Sequence, residues 1–127
     1  MSKEILIVED EPGVMAAIRF LMKQQGYNVR VAEKGEDALD LLSTNKPHLV
    51  LLDIMLPGMN GWEVCEAIRS NPEYRNVKIV FLTARRNEAE IAKGLDLGAN
   101  AYITKPFNND QLIARVKALL QDALEEA

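Results

Sequence analysis

The chain has 127 residues, 48% of them hydrophobic, and a formal net charge of −4 at pH 7. This length predicts one domain with a sizeable core over residues 1–127, and the acidic balance argues against nucleic acid binding by this chain alone. No stretch approaches the roughly 20 apolar residues of a membrane helix, and the first apolar run is too short for a signal peptide, so we expect a cytoplasmic protein with no membrane insertion.

Five short apolar runs predict β-strands. Four of them are strand-like, at residues 5–8, 29–31, 49–52 and 79–82, with Arg30 interrupting the second, and a weaker one lies at 101–103. Continuous apolar runs of about four residues are typical of strands that are buried on both faces, as in a parallel sheet.

A segment with helical spacing of apolar residues follows each run. These segments lie at 12–25 and 36–43, from 61 to before 71, at 88–97, and from about 109 onward. Pro12 suits the first turn of the first helix, and Gly26 suits its C-terminal end. The repeated unit predicts an α/β fold, a (βα)5 doubly wound, flavodoxin-like sheet of five parallel strands in the order 2-1-3-4-5, with helices on both faces.

Polar residues directly follow four of the predicted strands. They are Glu9 and Asp10, then Asp53, Thr83 and Lys105. In doubly wound sheets, ligands bind at the carboxyl ends of the strands. Two carboxylates about 5 Å apart repel by roughly 3 kcal/mol at an effective dielectric near 20, so three acids require a cation. Lys105 can neutralise one charge, and a few carboxylates completed by water are typical of Mg²⁺. The strand ends therefore predict a phosphoryl site with a carboxylate available as the nucleophile.

Each of these residues also has a plain structural alternative. Glu9 or Asp10 could cap the first helix, and Thr83 could cap a later one. Asp53 could be an ordinary loop residue, and Lys105 an exposed lysine. The convergence of all of them on one sheet edge favours the functional interpretation.

Four segments of the sequence resemble the receiver domain of two-component response regulators, similar to the chemotaxis regulators, over essentially the whole chain. They are Ile5-Leu-Ile-Val-Glu-Asp-Glu11, Leu51-Leu-Asp-Ile-Met-Leu-Pro-Gly-Met-Asn-Gly61, Ile79-Val-Phe-Leu-Thr-Ala84 and Gly98-Ala-Asn-Ala-Tyr-Ile-Thr-Lys-Pro-Phe107. Four such segments in this order and at this spacing make the resemblance specific.

The resemblance implies a role for most of the strand-end residues. Asp53 matches the phosphoacceptor, which takes a phosphoryl group from a phosphohistidine of a histidine kinase or phosphotransfer protein. Asp10 and Asp53 match direct ligands of Mg²⁺, for which Mn²⁺ can substitute, and Glu9 matches an acid that acts through water. The backbone carbonyl of Met55 matches a further metal ligand, and Lys105 matches the lysine that pairs with Asp53.

The resemblance also implies a switch and a loop. Thr83 matches the hydroxyl that moves to bond the phosphoryl group, and Tyr102 matches the aromatic residue whose ring then turns inward. Simple packing on an edge strand is the alternative for Tyr102. Pro57 and Gly61 match the loop after the acceptor strand, and the peptide bond before Pro106 is expected to be cis, although most X-Pro bonds are trans.

By this resemblance the chain is a signalling switch and not an enzyme. Phosphorylation would change which partner binds the face formed by the fourth helix, the fifth strand and the fifth helix. That partner would be a downstream output protein or an output domain beyond Ala127. A homodimer that forms on phosphorylation is left open, although Asn100 and Ala101 stand where winged-helix regulators carry two aspartates.

Two other classes of protein are the alternatives. One is a small phosphohydrolase with Asp53 as its nucleophile, but Met55 stands where such an enzyme would carry its general acid. The other is a flavin-binding protein of the flavodoxin type, but the three acids at residues 9–11 would repel a phosphate where that fold binds it.

Overall fold

A computed structural model describes residues 3–126, and the side chains of residues 3–121. Strands and helices alternate along the chain as β1 (Glu4–Val8), α1 (Pro12–Gln24), β2 (Asn28–Ala32), α2 (Gly35–Thr44), β3 (Leu49–Leu52), α3 (Gly61–Arg69), β4 (Lys78–Thr83), α4 (Glu88–Asp96), β5 (Ala101–Thr104) and α5 (Asn109–Glu126). The predicted strands and helices are confirmed. None of the described helices is long and apolar enough to cross a membrane.

The sheet has five parallel strands in the order β2-β1-β3-β4-β5, as predicted. Neighbouring residues of a strand point to opposite faces, and each face is covered by helices. Leu6 and Val50 pack with α2 and α3 on one face. Ile7 and Leu51 pack with α1 and α5 on the other. The resulting doubly wound fold brings the ends of β1 and β3 together where the strand order reverses.

The prediction that the apolar runs are buried on both faces is correct for the central strands and wrong for β2. All residues of β3 and β4 are buried, whereas Val31 of β2 is 37% exposed. Because β2 pairs only with β1, one of its edges faces away from the sheet. The guanidinium of Arg30 on this strand donates to the carbonyls of Leu41 and Asn45 and so completes the C-terminal end of α2.

A short 3₁₀ helix, Pro72–Tyr74, lies between α3 and β4 and was not predicted from the sequence. The Asn71 side chain accepts a hydrogen bond from the Glu73 N–H at 3.0 Å and caps this turn. The Asn-Pro pair is the local signal for it, since proline suits a first helical position.

The sequence pattern suggests a surface position for His48, but the structure gives this residue a structural contact. Its ring is half-buried beside the start of β1, and Nδ1 accepts a hydrogen bond from the Glu4 N–H at 2.9 Å. Burial disfavours the charged ring, and Lys3 adds repulsion, so the pKa of His48 lies below its ordinary value of 6.5.

We expect protonation of His48 to destabilise the protein. Because the folded-state pKa is depressed, the stabilising contribution is present above the ordinary pKa and is lost as the pH falls below it. Urea unfolding gives the free energy of unfolding at about pH 7.5 and about pH 5.5, on either side of that value. Between these two pH values, wild type should lose more stability than His48→Asn. In that variant the amide oxygen replaces Nδ1 as the acceptor and does not titrate. Equal losses in the two proteins would contradict this account.

Candidate functional site

Three carboxylates meet at the ends of β1 and β3. One ligand oxygen from each of Glu9, Asp10 and Asp53 lies within 4.8 Å of the others. Glu9 is 2% exposed and Asp53 is 4% exposed, whereas Asp10 is open to solvent. The parallel pairing of β1 with β3 places these residues side by side, so the predicted convergence of acids at this edge is observed.

Lys105, which follows β5, reaches across the sheet edge to these acids. Its Nζ lies 2.5 Å from Glu9 Oε1, 3.1 Å from Asp53 Oδ2 and 3.8 Å from Glu11 Oε1. The shortest contact is with Glu9, although the resemblance implies pairing with Asp53. Sequence reasoning missed Glu11, because the side chain of a helix N-cap residue has no fixed direction in a sequence pattern.

The pKa values in this cluster are shifted by burial and by mutual contact. Burial raises the pKa of Glu9, and the hydrogen bond from Lys105 only partly offsets that effect. Burial by itself would lower the pKa of Lys105, but its contacts with Glu9 and Asp53 together raise it above the ordinary value. Lys105 is therefore held in its charged form.

The donor set of the cluster fits a hard divalent cation. When the three carboxylates are ionised, one ammonium leaves two negative charges in excess, and their oxygens are close enough to share one ion. Carboxylate oxygens completed by water are the ligands that Mg²⁺ prefers. Glu9, Asp10 and Asp53 are the residues that could hold it.

The loop after β3 is held tightly against α3. The Met55 N–H donates to Asp53 Oδ1 at 3.1 Å and fixes one carboxylate oxygen of that residue. The Gly61 N–H donates to the Ile54 carbonyl at 2.9 Å. A Cβ on Gly61 would lie 2.2 Å from the Asp53 carbonyl oxygen, so the loop can approach the helix this closely only at a glycine.

Two further features complete this loop. Asn60 caps α3 through a reciprocal pair of hydrogen bonds with Glu63. Gly58, which follows Pro57, has a φ of +69°, a conformation that favours glycine. Met55, in the same loop, is 53% exposed.

Thr83 and Tyr102 lie beside the cluster, and each bonds to Arg85. Thr83 is fully buried, and its Oγ1 accepts a hydrogen bond from the Arg85 N–H at 3.3 Å. The Tyr102 hydroxyl donates to the Arg85 carbonyl at 2.8 Å, and its ring lies 5.8 Å from that of Phe81. Burial raises the pKa of Tyr102 to about 12, so the hydroxyl remains a donor. Tyr102 thus combines packing with a contact to the loop after β4.

The loop between β5 and α5 begins at a cis peptide bond between Lys105 and Pro106. Together with α1 it encloses a groove of about 780 Å³, lined by Glu11, Pro12, Gly13, Val14, Ala17, Ala84, Lys105, Pro106, Phe107 and Asn109. Lys105 belongs both to the groove and to the acid cluster. The groove is therefore joined to Asp53 through Lys105.

Asn100, which directly precedes β5, is exposed, and its side chain bonds to two other elements. Its Oδ1 accepts hydrogen bonds from the Ile79 N–H at 2.8 Å and from the Arg69 guanidinium at 3.0 Å. Asn100 therefore joins the sheet to α3.

Comparisons with known proteins agree with this geometry. The family model described as the response regulator receiver domain matches residues 5–117. A putative response regulator from Chloroflexus aurantiacus is 34% identical, with a TM-score of 0.91 over 95% of this chain and 99% of the other. The BeF3-activated N-terminal receiver domain of RstA from Klebsiella pneumoniae is 34% identical, with a TM-score of 0.86 over 92% and 97% of the two chains.

A CheY-like receiver domain protein from Methanospirillum hungatei is 28% identical, with a TM-score of 0.93 over 100% of both chains. The family match extends from β1 into α5 and includes every strand that contributes a residue to the acid cluster. This chain belongs to the response regulator receiver domain family, whose members serve phosphorylation-activated signalling.

Proposed function

We propose that Asp53 accepts a phosphoryl group from a phosphohistidine of a histidine kinase or phosphotransfer protein, in a reaction that requires Mg²⁺. The observation that carries this proposal is the meeting of three carboxylates and one ammonium at the edge where β1 and β3 end. We propose that residues 1–127 act as one receiver unit and that the reaction takes place in the cytoplasm.

The transfer step follows from the contacts of Asp53. A carboxylate oxygen of Asp53 attacks phosphorus, the new O–P bond forms, and the P–N bond breaks so that the imidazole nitrogen leaves with the electron pair. The Met55 N–H holds Oδ1, and Lys105 lies 3.1 Å from Oδ2, where its charge offsets that of the incoming phosphoryl oxygens. Asp10, Asp53 and the Met55 carbonyl would hold Mg²⁺, for which Mn²⁺ can substitute, with Glu9 acting through water, and the ion would supply further positive charge.

A phosphorylated Asp53 carries more negative charge beside Thr83, and we propose that this shift changes the loop that follows β4. Thr83 and Tyr102 both bond to the main chain of Arg85 in that loop. A movement of the Thr83 hydroxyl would therefore shift Arg85, and with it the hydrogen bond of Tyr102. The face formed by α4, β5 and α5 would then bind an output protein, an output domain or a second copy of this chain.

The groove beside α1 is the docking site that we propose for the phosphohistidine protein. It is continuous with the acceptor through Lys105, and a donor that fills it brings its imidazole to Asp53. Ala17 lies in the wall of the groove, whereas its neighbour Ala16 is exposed outside that wall.

We expect Ala17→Arg to slow phosphoryl transfer from a phosphohistidine protein by about tenfold, the effect of losing roughly 1.4 kcal/mol of binding. Phosphorylation by acetyl phosphate, which needs no docking surface, should be unchanged. Ala16→Arg is the matched control, since it adds the same side chain one position along the helix. Equal effects of the two substitutions on the protein donor would refute this docking site.

The proposed phosphorylation is tested by incubating the chain with acetyl phosphate and following its intact mass. We expect the addition of one phosphoryl group with Mg²⁺ present and none after chelation. Asp53→Asn should remain unmodified, whereas Asp40→Asn, which changes an exposed acid of α2, should behave as wild type. Modification of the Asp53→Asn variant would exclude Asp53 as the acceptor. Rapid turnover of general phosphate esters would favour the phosphohydrolase alternative.

A further inference from the structure

The loop after β4 is tied to the end of β5 by a contact outside the acid cluster. The guanidinium of Arg86 donates to the main-chain carbonyl of Lys105 at 2.5 Å. The Lys105 N–H donates to the Thr83 carbonyl at 2.8 Å. The main chain at Lys105 is therefore held on both sides, by the end of β4 and by Arg86.

The carbonyl of Lys105 lies where the strand pattern provides it with no partner. β5 is an edge strand that ends at Thr104, so the carbonyl of Lys105 lies just beyond its regular pairing with β4. Arg86 supplies the donor that regular pairing does not supply at this point. A planar guanidinium is well suited to this contact, because its donors are fixed in direction and always charged.

The side chain of Lys105 needs a fixed main chain to reach its partners. It has four rotatable bonds, and its ammonium bonds to two buried carboxylates that follow β1 and β3. A shift of its Cα would move the ammonium away from Glu9 or Asp53. Small misplacements of a positioned charge can cost large factors in rate.

We propose that Arg86 is a positioning residue for phosphorylation, because it fixes the main chain from which Lys105 extends to Glu9 and Asp53. This inference rests on the proposed function of Asp53. Arg86 itself contacts neither of these carboxylates, and it acts through Lys105.

The first test compares rates of phosphorylation by acetyl phosphate with Mg²⁺ present. We expect Arg86→Met to lower the rate on the order of tenfold, and Arg86→Lys, which retains a charged donor, to recover much of that loss. Arg75→Met, which changes an exposed arginine beyond the 3₁₀ helix, should leave the rate unchanged. A wild-type rate in Arg86→Met would overturn the proposal.

A double-mutant cycle separates positioning from a general structural or electrostatic effect. If Arg86 acts through Lys105, Arg86→Met should cause no further loss in a Lys105→Met background. Multiplicative losses in the two variants would overturn the proposal, because they would mean that Arg86 acts by another route.

A measurement without phosphorylation keeps this inference distinct from the proposed function. In the ¹⁵N NMR spectrum, the Lys105 ammonium of wild type should be protected from exchange by its two carboxylate partners. That signal should broaden in Arg86→Met and persist in Arg75→Met. A sharp signal in Arg86→Met would refute the positioning role even if Asp53 is the acceptor. If wild type is not phosphorylated, the proposed function of Asp53 is refuted. The NMR spectrum would still test whether Arg86 fixes the position of Lys105.

Discussion

Replacing Lys105 with methionine should lower the rate of Asp53 phosphorylation by acetyl phosphate on the order of a hundredfold. Loss of one preorganised donor to developing charge costs about this factor in enzymes that stabilise oxyanions. Methionine retains most of the length and apolar character of the lysine stem, so the substitution removes the charge and largely keeps the packing. The rate is measured by intact mass over a time course.

The same substitution should destabilise the protein in the absence of Mg²⁺. It leaves Glu9 and Asp53, both buried, without the ammonium that separates them. Removal of one partner from a buried charged contact typically costs about 3–5 kcal/mol, and uptake of a proton by Glu9 limits that cost here. Because Mg²⁺ can replace the lost positive charge, it should raise the stability of Lys105→Met more than that of wild type.

Lys117→Met is the matched control, since it removes an exposed lysine of α5. Its phosphorylation rate and stability should equal those of wild type. Trp62 is the only tryptophan of the chain and lies with Met55 in the wall of a cavity of about 360 Å³, so its fluorescence can follow Mg²⁺ binding in each variant. A rate for Lys105→Met within about twofold of wild type would contradict the role assigned to this residue, since even one lost neutral hydrogen bond is usually worth more.

Replacing Gly61 with alanine should destabilise the fold by about 3 kcal/mol or more, at the upper end of overpacking effects. The added Cβ would lie 2.2 Å from the Asp53 carbonyl oxygen and 2.7 Å from the Ile54 Cα. Both of these atoms belong to the backbone and cannot rotate away. The loop after β3 must therefore separate from α3, and the Asp53 carboxylate must move with it.

Gly13→Ala is the matched control for this prediction. A Cβ at Gly13 meets nothing within 4 Å, and this residue lies in the first turn of α1. Alanine there should leave stability unchanged or raise it by about 0.5–1 kcal/mol through helix propensity. Urea unfolding of the two variants and wild type gives the comparison. Equal stability of Gly61→Ala and wild type would show that the loop can yield at low cost.

The sequence pattern predicted the sheet well because each strand coincides with a short apolar run. β3 and β4 are buried on both faces, and their residues have no alternation that could be confused with a helix. The edge position of β2 is part of the predicted strand order, but the exposure of its side chains could not be predicted from its apolar residues alone, since burial there depends on what covers each strand. The exposure of Val31 follows from that topology.

The acids of the site were predictable because strand ends determine where short polar side chains lie, and the main-chain position of Lys105 after β5 was predictable for the same reason. Contacts made by long side chains were not predictable in this way. Arg86 reaches the Lys105 carbonyl from another loop, and Glu11 approaches the Lys105 ammonium from a helix N-terminus. A sequence pattern predicts neither the direction of such a side chain nor that the Lys105 carbonyl needs a donor from outside the sheet.

His48 and Asn100 were hard to place for a related reason. Each bonds to the main chain of a neighbouring strand, His48 to Glu4 and Asn100 to Ile79. Such contacts depend on strand register, which becomes known only once the sheet is assembled. The resemblance implied that position 100 departs from the winged-helix regulators, but not that its side chain accepts a hydrogen bond from the Ile79 N–H.

The measurement that tests the central claim most directly is the chemical identity of the modified residue. After treatment with acetyl phosphate and Mg²⁺, borohydride reduces an aspartyl phosphate to homoserine, which peptide mass spectrometry can locate. We expect homoserine at position 53 and unmodified residues at positions 9 and 10. Homoserine absent from position 53, or a phosphoryl group found on another residue, would contradict this claim.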